Sequence, residues 1–282
     1  LSSLTSNGDF LALYADLTGT NSSTPFNIDI VGFSAMNGSP TTISNALDYV
    51  TFPGGILLPS NTSAFNNTTN ELAYLKPSEL ITYDDNSMNA NLISLLASST
   101  TAPVFFQGKC YAIQIEDNGF GQGPLFEADI NDIHLPTGTI SSTLHVQSTA
   151  NPYSFFNYQY VSSATNGIDE MYFLSGSNLI IVTDLSIFNP MYCWKDLAPF
   201  NNQNSSSFFY GVEYKSPGVL LAIRESIVNG LQSGTDLVEI HFNSTNCTIG
   251  NINVVYDLQN NVTLSAGGWT INNEFYSTAY NT

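Results

Sequence analysis

Four short segments between residues 206 and 258 restrict the possible folds more than any other feature of this chain. SSFFYGVEY, LLAIRESIV, DLVEIHF and INVVYDL are rich in aromatic and β-branched residues, which suit a pleated, half-buried surface. Between them stand Lys215-Ser216-Pro217-Gly218, Asn229-Gly230 and the run at 243–246, each with the residue types that tight turns require. The alternation predicts one antiparallel four-stranded unit of about fifty residues. Such a sheet has two faces, and a single unit cannot cover both.

The rest of the chain reads as imperfect copies of this unit. Units are expected at residues 1–50, 51–99, 104–147, 153–200 and 206–258, with a partial one at 262–282. In the first, Asn7-Gly8 is a hairpin signal, followed by FLALYADL, PFNIDIVGF and a weaker segment at 39–50. The stretch 44–49 is too short to stand as a helix. The second unit is the least regular. It is expected to have a short strand at 56–58, a loop at 61–70, and strands at 72–75, 79–83 and 92–96. In the third, VFFQGKCYAIQIED is a hairpin turning at Gln107-Gly108-Lys109, and LFEADINDIHL and TISSTLHV follow a glycine-rich loop. The fourth begins with YSFFNYQYV, turns at Asn166-Gly167, and continues as the hairpin MYFLSGSNLIIVTDL and the segment YCWKDL. The partial unit, TLSAGGWTINNEFYSTAY, holds only two strands.

Two recurrences support the division. The doublets Phe105-Phe106, Phe155-Phe156 and Phe208-Phe209 are each read as opening a unit. A later strand recurs as LFEAD, LIIVTD and LVEIHF, with FNIDI as an early fourth example. No helical periodicity of useful length occurs. Repeats of about 40–50 residues with four strands each are the signature of propeller blades. Stacking them radially buries their faces, and closing the ring protects the edges. The expectation is one all-β domain, a β-propeller of about six four-stranded antiparallel blades with the last incomplete. Either the strands within residues 1–17 complete that blade, or strands of a neighbouring copy do so by strand addition. The second solution builds filaments.

Gly108-Lys109-Cys110-Tyr111-Ala112-Ile113 is similar to the YAID…G motif of quinoprotein or YVTN-type propeller blades. The resemblance is clearer over the last two thirds of the chain and implies the fold alone. Trp194 and Trp269 are the only tryptophans, too few for the tryptophan ladder of the quinoprotein enzymes. The Gly-His and Trp-Asp dipeptides of WD40 repeats do not occur.

Composition narrows the partners. Five basic residues, Lys76, Lys109, Lys195, Lys215 and Arg224, face 23 acids, for a formal net charge of −18. Nucleic-acid binding needs cations that displace counterions, so that class is excluded, and an anionic membrane surface is disfavoured. No apolar run approaches the roughly 20 residues of a membrane span. The chain opens on Leu1 with no signal peptide and is expected to be a mature form. Only 10% of residues are charged, against a usual fraction of about 25%. Attached sugar would supply the missing solvation. The acceptor pattern N-x-S/T occurs at Asn21, Asn37, Asn61, Asn66, Asn67, Asn204, Asn243, Asn246 and Asn261, mostly in expected turns. Adjacent Asn66 and Asn67 are expected to share one glycan, and Pro40 after Ser39 weakens Asn37. The three cysteines imply an oxidising compartment with one bridge. Cys193 and Cys247 follow corresponding strands and are the expected pair, with Cys110 a buried thiol.

No catalytic constellation emerges. His134, His145 and His241 lie in expected strands, with no nucleophile elbow beside them. The clusters Glu116-Asp117-Asn118 and Asp129-Ile130-Asn131-Asp132 carry oxygen ligands but no calcium-loop pattern, so no metal or cofactor is expected. Glu127, Asp129, Asp184 and Glu239 fall on corresponding strands, which keeps a glycoside hydrolase as a third reading. One arginine rules out a sialidase-type carboxylate pocket. Tyr153, Tyr158, Tyr160, Tyr210 and Tyr214 could stack on sugars, which supports a carbohydrate-binding or adhesion module as the second. The first reading is an extracellular structural glycoprotein, not an enzyme, that assembles with copies of itself.

Overall fold

The computed structural model describes residues 2–4, 9–15, 26–34, 37, 39–49, 63–76, 79–84, 86–87, 89–94, 100–115, 127–148, 161–185, 191–197, 205–228, 231–258, 262–271 and 274–281. These residues contain strands and turns and no helix.

Each sheet is a stretch of consecutive antiparallel strands in chain order. The first holds β1 (Ser2–Leu4), β2 (Asp9–Ala15), β3 (Phe26–Ser34) and β4 (Pro40–Tyr49). The second holds β5 (Ser63–Asn66), β6 (Glu71–Lys76), β7 (Glu79–Asp84) and β8 (Asn89–Ser94). The third holds β9 (Thr100–Phe106), β10 (Lys109–Ile115), β11 (Glu127–His134) and β12 (Thr139–Gln147). The fourth holds β13 (Ser162–Thr165), β14 (Met171–Ser175), β15 (Asn178–Asp184) and β16 (Met191–Asp196). The fifth holds β17 (Ser205–Ser216), β18 (Val219–Val228), β19 (Leu231–Asn243) and β20 (Thr248–Asp257). The sixth has two strands, β21 (Val262–Ile271) and β22 (Glu274–Asn281).

The first strands meet in sequence around a closed circuit. β1 touches β5, β5 touches β9, β9 touches β13, β13 touches β17, β17 touches β21, and β21 returns to β1. This circuit of antiparallel sheets is consistent with the blade-around-a-hub arrangement of a β-propeller. The motifs LIIVTD, LVEIHF and FNIDI, and the last three residues of LFEAD, fall on the third strand of their sheets.

Packing between sheets explains the composition of the strands. In β14, Met171 and Phe173 join Val104, Ile113, Ile130 and Val146 of the third sheet. The alternate residues Tyr172 and Leu174 join Phe209, Val212, Leu220 and Val238 of the fifth. All four β14 residues are fully buried. A strand covered on both faces needs a continuous apolar run rather than alternation, which is why MYFL and LIIV contain no polar residue. Gly211 permits a bulge in β17 with φ of 65°. There Val212 N–H donates to Ser162 Oγ at 3.0 Å and Phe209 N–H to the Gly176 carbonyl at 2.7 Å, fastening β17 to the fourth sheet.

The structure corrects several expectations. Residues 63–66, placed in a loop by their polar surroundings, form β5, because Phe65 packs beside Leu11, Leu72 and Tyr83. The expected strand at 56–58 lies outside the described residues. Phe105 and Phe106 close β9, whereas Phe208 and Phe209 lie in the first half of the longer β17, so these doublets are not equivalent positions. The doublet at 155–156 lies outside the described residues, and the first described strand of the fourth sheet is β13. The third sheet begins at Thr100 rather than at residue 104. β1 pairs with β2 in the first sheet, so it does not complete the sixth.

Candidate functional site

Among the described residues the sixth sheet has two strands where the other five have four. In the fourth sheet, Ala164, Tyr172, Ile181 and Cys193 pair in one row from hub to rim. All four stay buried, at 7%, 0%, 1% and 4% exposure, under the four-stranded fifth sheet. The fifth sheet has a similar row, Tyr210, Ile223, Leu237 and Tyr256. It lies on the face away from Val238 and Ile240, which pack on the fourth sheet. β21 contacts both β17 and β19, so the row faces the sixth sheet. Here burial decays outward: Tyr210 is 4% exposed, Ile223 0%, Leu237 is half-buried and Tyr256 is 62% exposed. Val255, the extra residue of a bulge in β20, is also exposed, and Val254, which pairs with Val238 on the opposite face, is exposed as well. The outer edge of β22 has no partner strand among the described residues. An open ladder of backbone donors and acceptors beside an exposed apolar strip is a template for another strand.

Toward one end of the same face lies a polar group. Glu213, Leu221, Glu239 and Asn253 pair in a row. Lys215 Nζ donates to Glu239 Oε1, and this bond holds the Glu239 carboxyl below its ordinary range. His241 Nε2 lies 3.3 Å from both Glu239 Oε2 and Asn253 Nδ2. Glu213 makes no such contact among the described residues, and burial pushes its carboxyl up to about 8.

The other candidate residues are engaged within their own sheets. Asp129 Oδ1 lies 2.8 Å from His145 Nδ1, and Glu127 Oε1 accepts from Gln147 Nε2 at 2.7 Å. Asp132 pairs with Lys109 at 2.5 Å, which raises the lysine. His134 Nδ1 meets Thr137 Oγ1 at 2.8 Å in the β11–β12 turn. No group of three or more His, Cys, Asp or Glu side chains forms a metal site among the described residues. Of the expected sugar-stacking tyrosines, Tyr210 is buried and Tyr214 stacks on Tyr172 with centroids 6.2 Å apart. Tyr153, Tyr158 and Tyr160 lie outside the described residues, as does the acidic cluster at 116–118.

Cys193 on β16 is bonded to Cys247 in the β19–β20 turn, and Cys110 is a buried free thiol. Burial pushes that thiol far up, so it stays protonated. Among the acceptor asparagines, Asn37, Asn67, Asn243 and Asn246 are exposed and Asn66 is buried. Asn21, Asn61, Asn204 and Asn261 lie outside the described residues. No helix of the described residues is long and apolar enough to cross a membrane.

No protein-family model matches the chain, and no curated protein matches it. Among solved structures, that of U3-55K superposes with a TM-score of 0.47 at 8% identity, over 92% of this chain and 66% of that one. This chain thus spans just under two thirds of that protein's chain.

Proposed function

We propose that this protein is an extracellular structural glycoprotein whose blades assemble with copies of itself through the open side of the sixth sheet. The observation that carries the reading is the decay of burial along Tyr210, Ile223, Leu237 and Tyr256, which leaves an apolar rim beside an unpaired strand edge. A strand hairpin from a second copy, laid against β22, would continue the sheet and cover Tyr256. Edges are normally defended by lysine or other charge, yet β22 reads EFYSTAYN with Glu274 as its single charged residue. Because the edge and its occupant are different surfaces, the contact is head-to-tail and propagates. The low charge fraction, the exposed sequons at Asn67, Asn243 and Asn246 and the Cys193–Cys247 bridge support placement outside the cell.

Light scattering over a wide concentration series, with electron microscopy of the products, tests this. The net charge of −18 opposes association at long range, so oligomers should grow as salt screens it. Tyr256→Lys should remain monomeric with its fold intact by circular dichroism. A wild-type chain that stays monomeric at every concentration and salt level refutes the assembly reading.

A further inference from the structure

The adjacent sequons Asn66-Asn67-Thr68 and Asn67-Thr68-Thr69 offer two acceptors one residue apart, and the turn that carries them distinguishes between them. We propose that Asn67 carries a glycan and Asn66 does not. This inference rests on the glycoprotein reading above and goes further by assigning the site.

Asn66 ends β5 with its side chain 7% exposed. Its Oδ1 accepts the Thr68 N–H at 3.0 Å and its carbonyl accepts the Asn70 N–H at 2.8 Å, so it is the residue on which the turn closes. A sugar on Asn66 Nδ2 would have to displace the packing around the end of β5, where Asn66 is buried. Asn67 stands at the corner of the same turn, is exposed, and makes no hydrogen bond with its side chain among the described residues. The scaffold beneath it is fastened. Asn70 Nδ2 donates to Asn86 Oδ1 at 3.0 Å, and Asn86 Nδ2 donates to the Thr69 carbonyl at 3.1 Å, joining this turn to the β7–β8 turn. Thr69 Oγ1 donates to Glu71 Oε2 at 2.7 Å. The other exposed acceptors use their side-chain oxygens locally. Asn37 takes the Ser39 N–H, Asn243 the Asn246 N–H, and Asn246 the Thr248 hydroxyl.

The step is a glycosyl transfer. Asn67 Nδ2 forms a bond to the anomeric carbon of an oligosaccharide activated as a lipid-linked phosphate ester. The carbon–oxygen bond to phosphate breaks, the phosphate leaves with the bonding pair, and the amide nitrogen loses one proton.

Secretion from a glycosylating host followed by site-resolved glycopeptide mass spectrometry tests the assignment. Thr69→Ala destroys only the Asn67 sequon and should remove the glycan from this peptide. Thr68→Ala destroys only the Asn66 sequon and should leave it in place. Sugar on Asn66, or its loss from the peptide in Thr68→Ala, overturns the proposal. Sugar at Asn243 with none at Asn67 overturns it while leaving the glycoprotein reading intact. Sugar at no asparagine overturns both.

Discussion

Removing the Cys193–Cys247 bridge should lower stability by about 4 kcal/mol. The two cysteines are 54 residues apart. Holding a loop of that size shut removes roughly 14 cal/mol/K from the unfolded chain in the chain-entropy treatment, or about 4 kcal/mol at room temperature. The bridge also has a local role. It ties β16, the rim strand of the fourth sheet, to the β19–β20 turn of the fifth, across the interface that buries Tyr172, Ile181 and Phe242. The Cys193→Ser/Cys247→Ser double variant and the wild type should be compared by urea unfolding. The slope should rise slightly in the variant, since an unbridged denatured chain exposes more surface. Cys110→Ser serves as the control for thiol chemistry. Its thiol is buried and kept protonated by that burial, so it should not exchange with the bridge. A loss below about 1 kcal/mol would show that the unfolded chain is already constrained here and would refute the entropic reasoning. Non-reducing peptide mapping that finds Cys110 in a disulfide would refute the pairing of the fourth and fifth sheets.

Glu213→Gln should change how stability depends on pH. Burial raises the folded carboxyl to about 8, while the unfolded group titrates near its ordinary value of about 4.3. The folded state thus holds a proton that the unfolded state has released, so the contribution of Glu213 to stability should be fully present below about pH 4 and be lost as the pH rises through about 8. The glutamine variant should flatten that decline in thermal melts, and parallel curves for the two proteins would disprove it. Gly218→Ala should cost about 1–3 kcal/mol, because Gly218 has φ of +76° and a Cβ there would meet the Phe242 carbonyl at 2.9 Å. Gly108→Ala, at φ of +77° with nothing within 4 Å, should lose only the conformational part. Equal losses at the two glycines would show that the Phe242 contact is inconsequential.

Much of this architecture was legible in the residues. Turn chemistry at Pro217-Gly218, Asn166-Gly167 and Gln107-Gly108 marks real turns, because left-handed or fixed φ values are needed there and few residues supply them. The third-strand motif recurs at the same place in its sheets, at β3, β15 and β19. Position within a strand was less legible. The phenylalanine doublets match in spacing but not in place, because β9 has seven residues and β17 twelve, and length is set by what each first strand packs against. The first strand of the second sheet was hidden in a polar stretch that becomes a strand only through Phe65 and its pairing with β6.

The amino-acid sequence by itself determined the class of fold and the shortage of cations. These follow from local propensity, periodicity and charge, which every segment carries regardless of its neighbours. Tertiary structure decided what depends on distant partners. Leu237 and Tyr256 have the same apolar character as the rows buried elsewhere, and only the tertiary structure leaves Leu237 half-buried and Tyr256 exposed at the rim. Asn66 and Asn67 are identical in chemistry, and only the closure of one turn over β5 makes the first a buried hinge and the second an exposed amide.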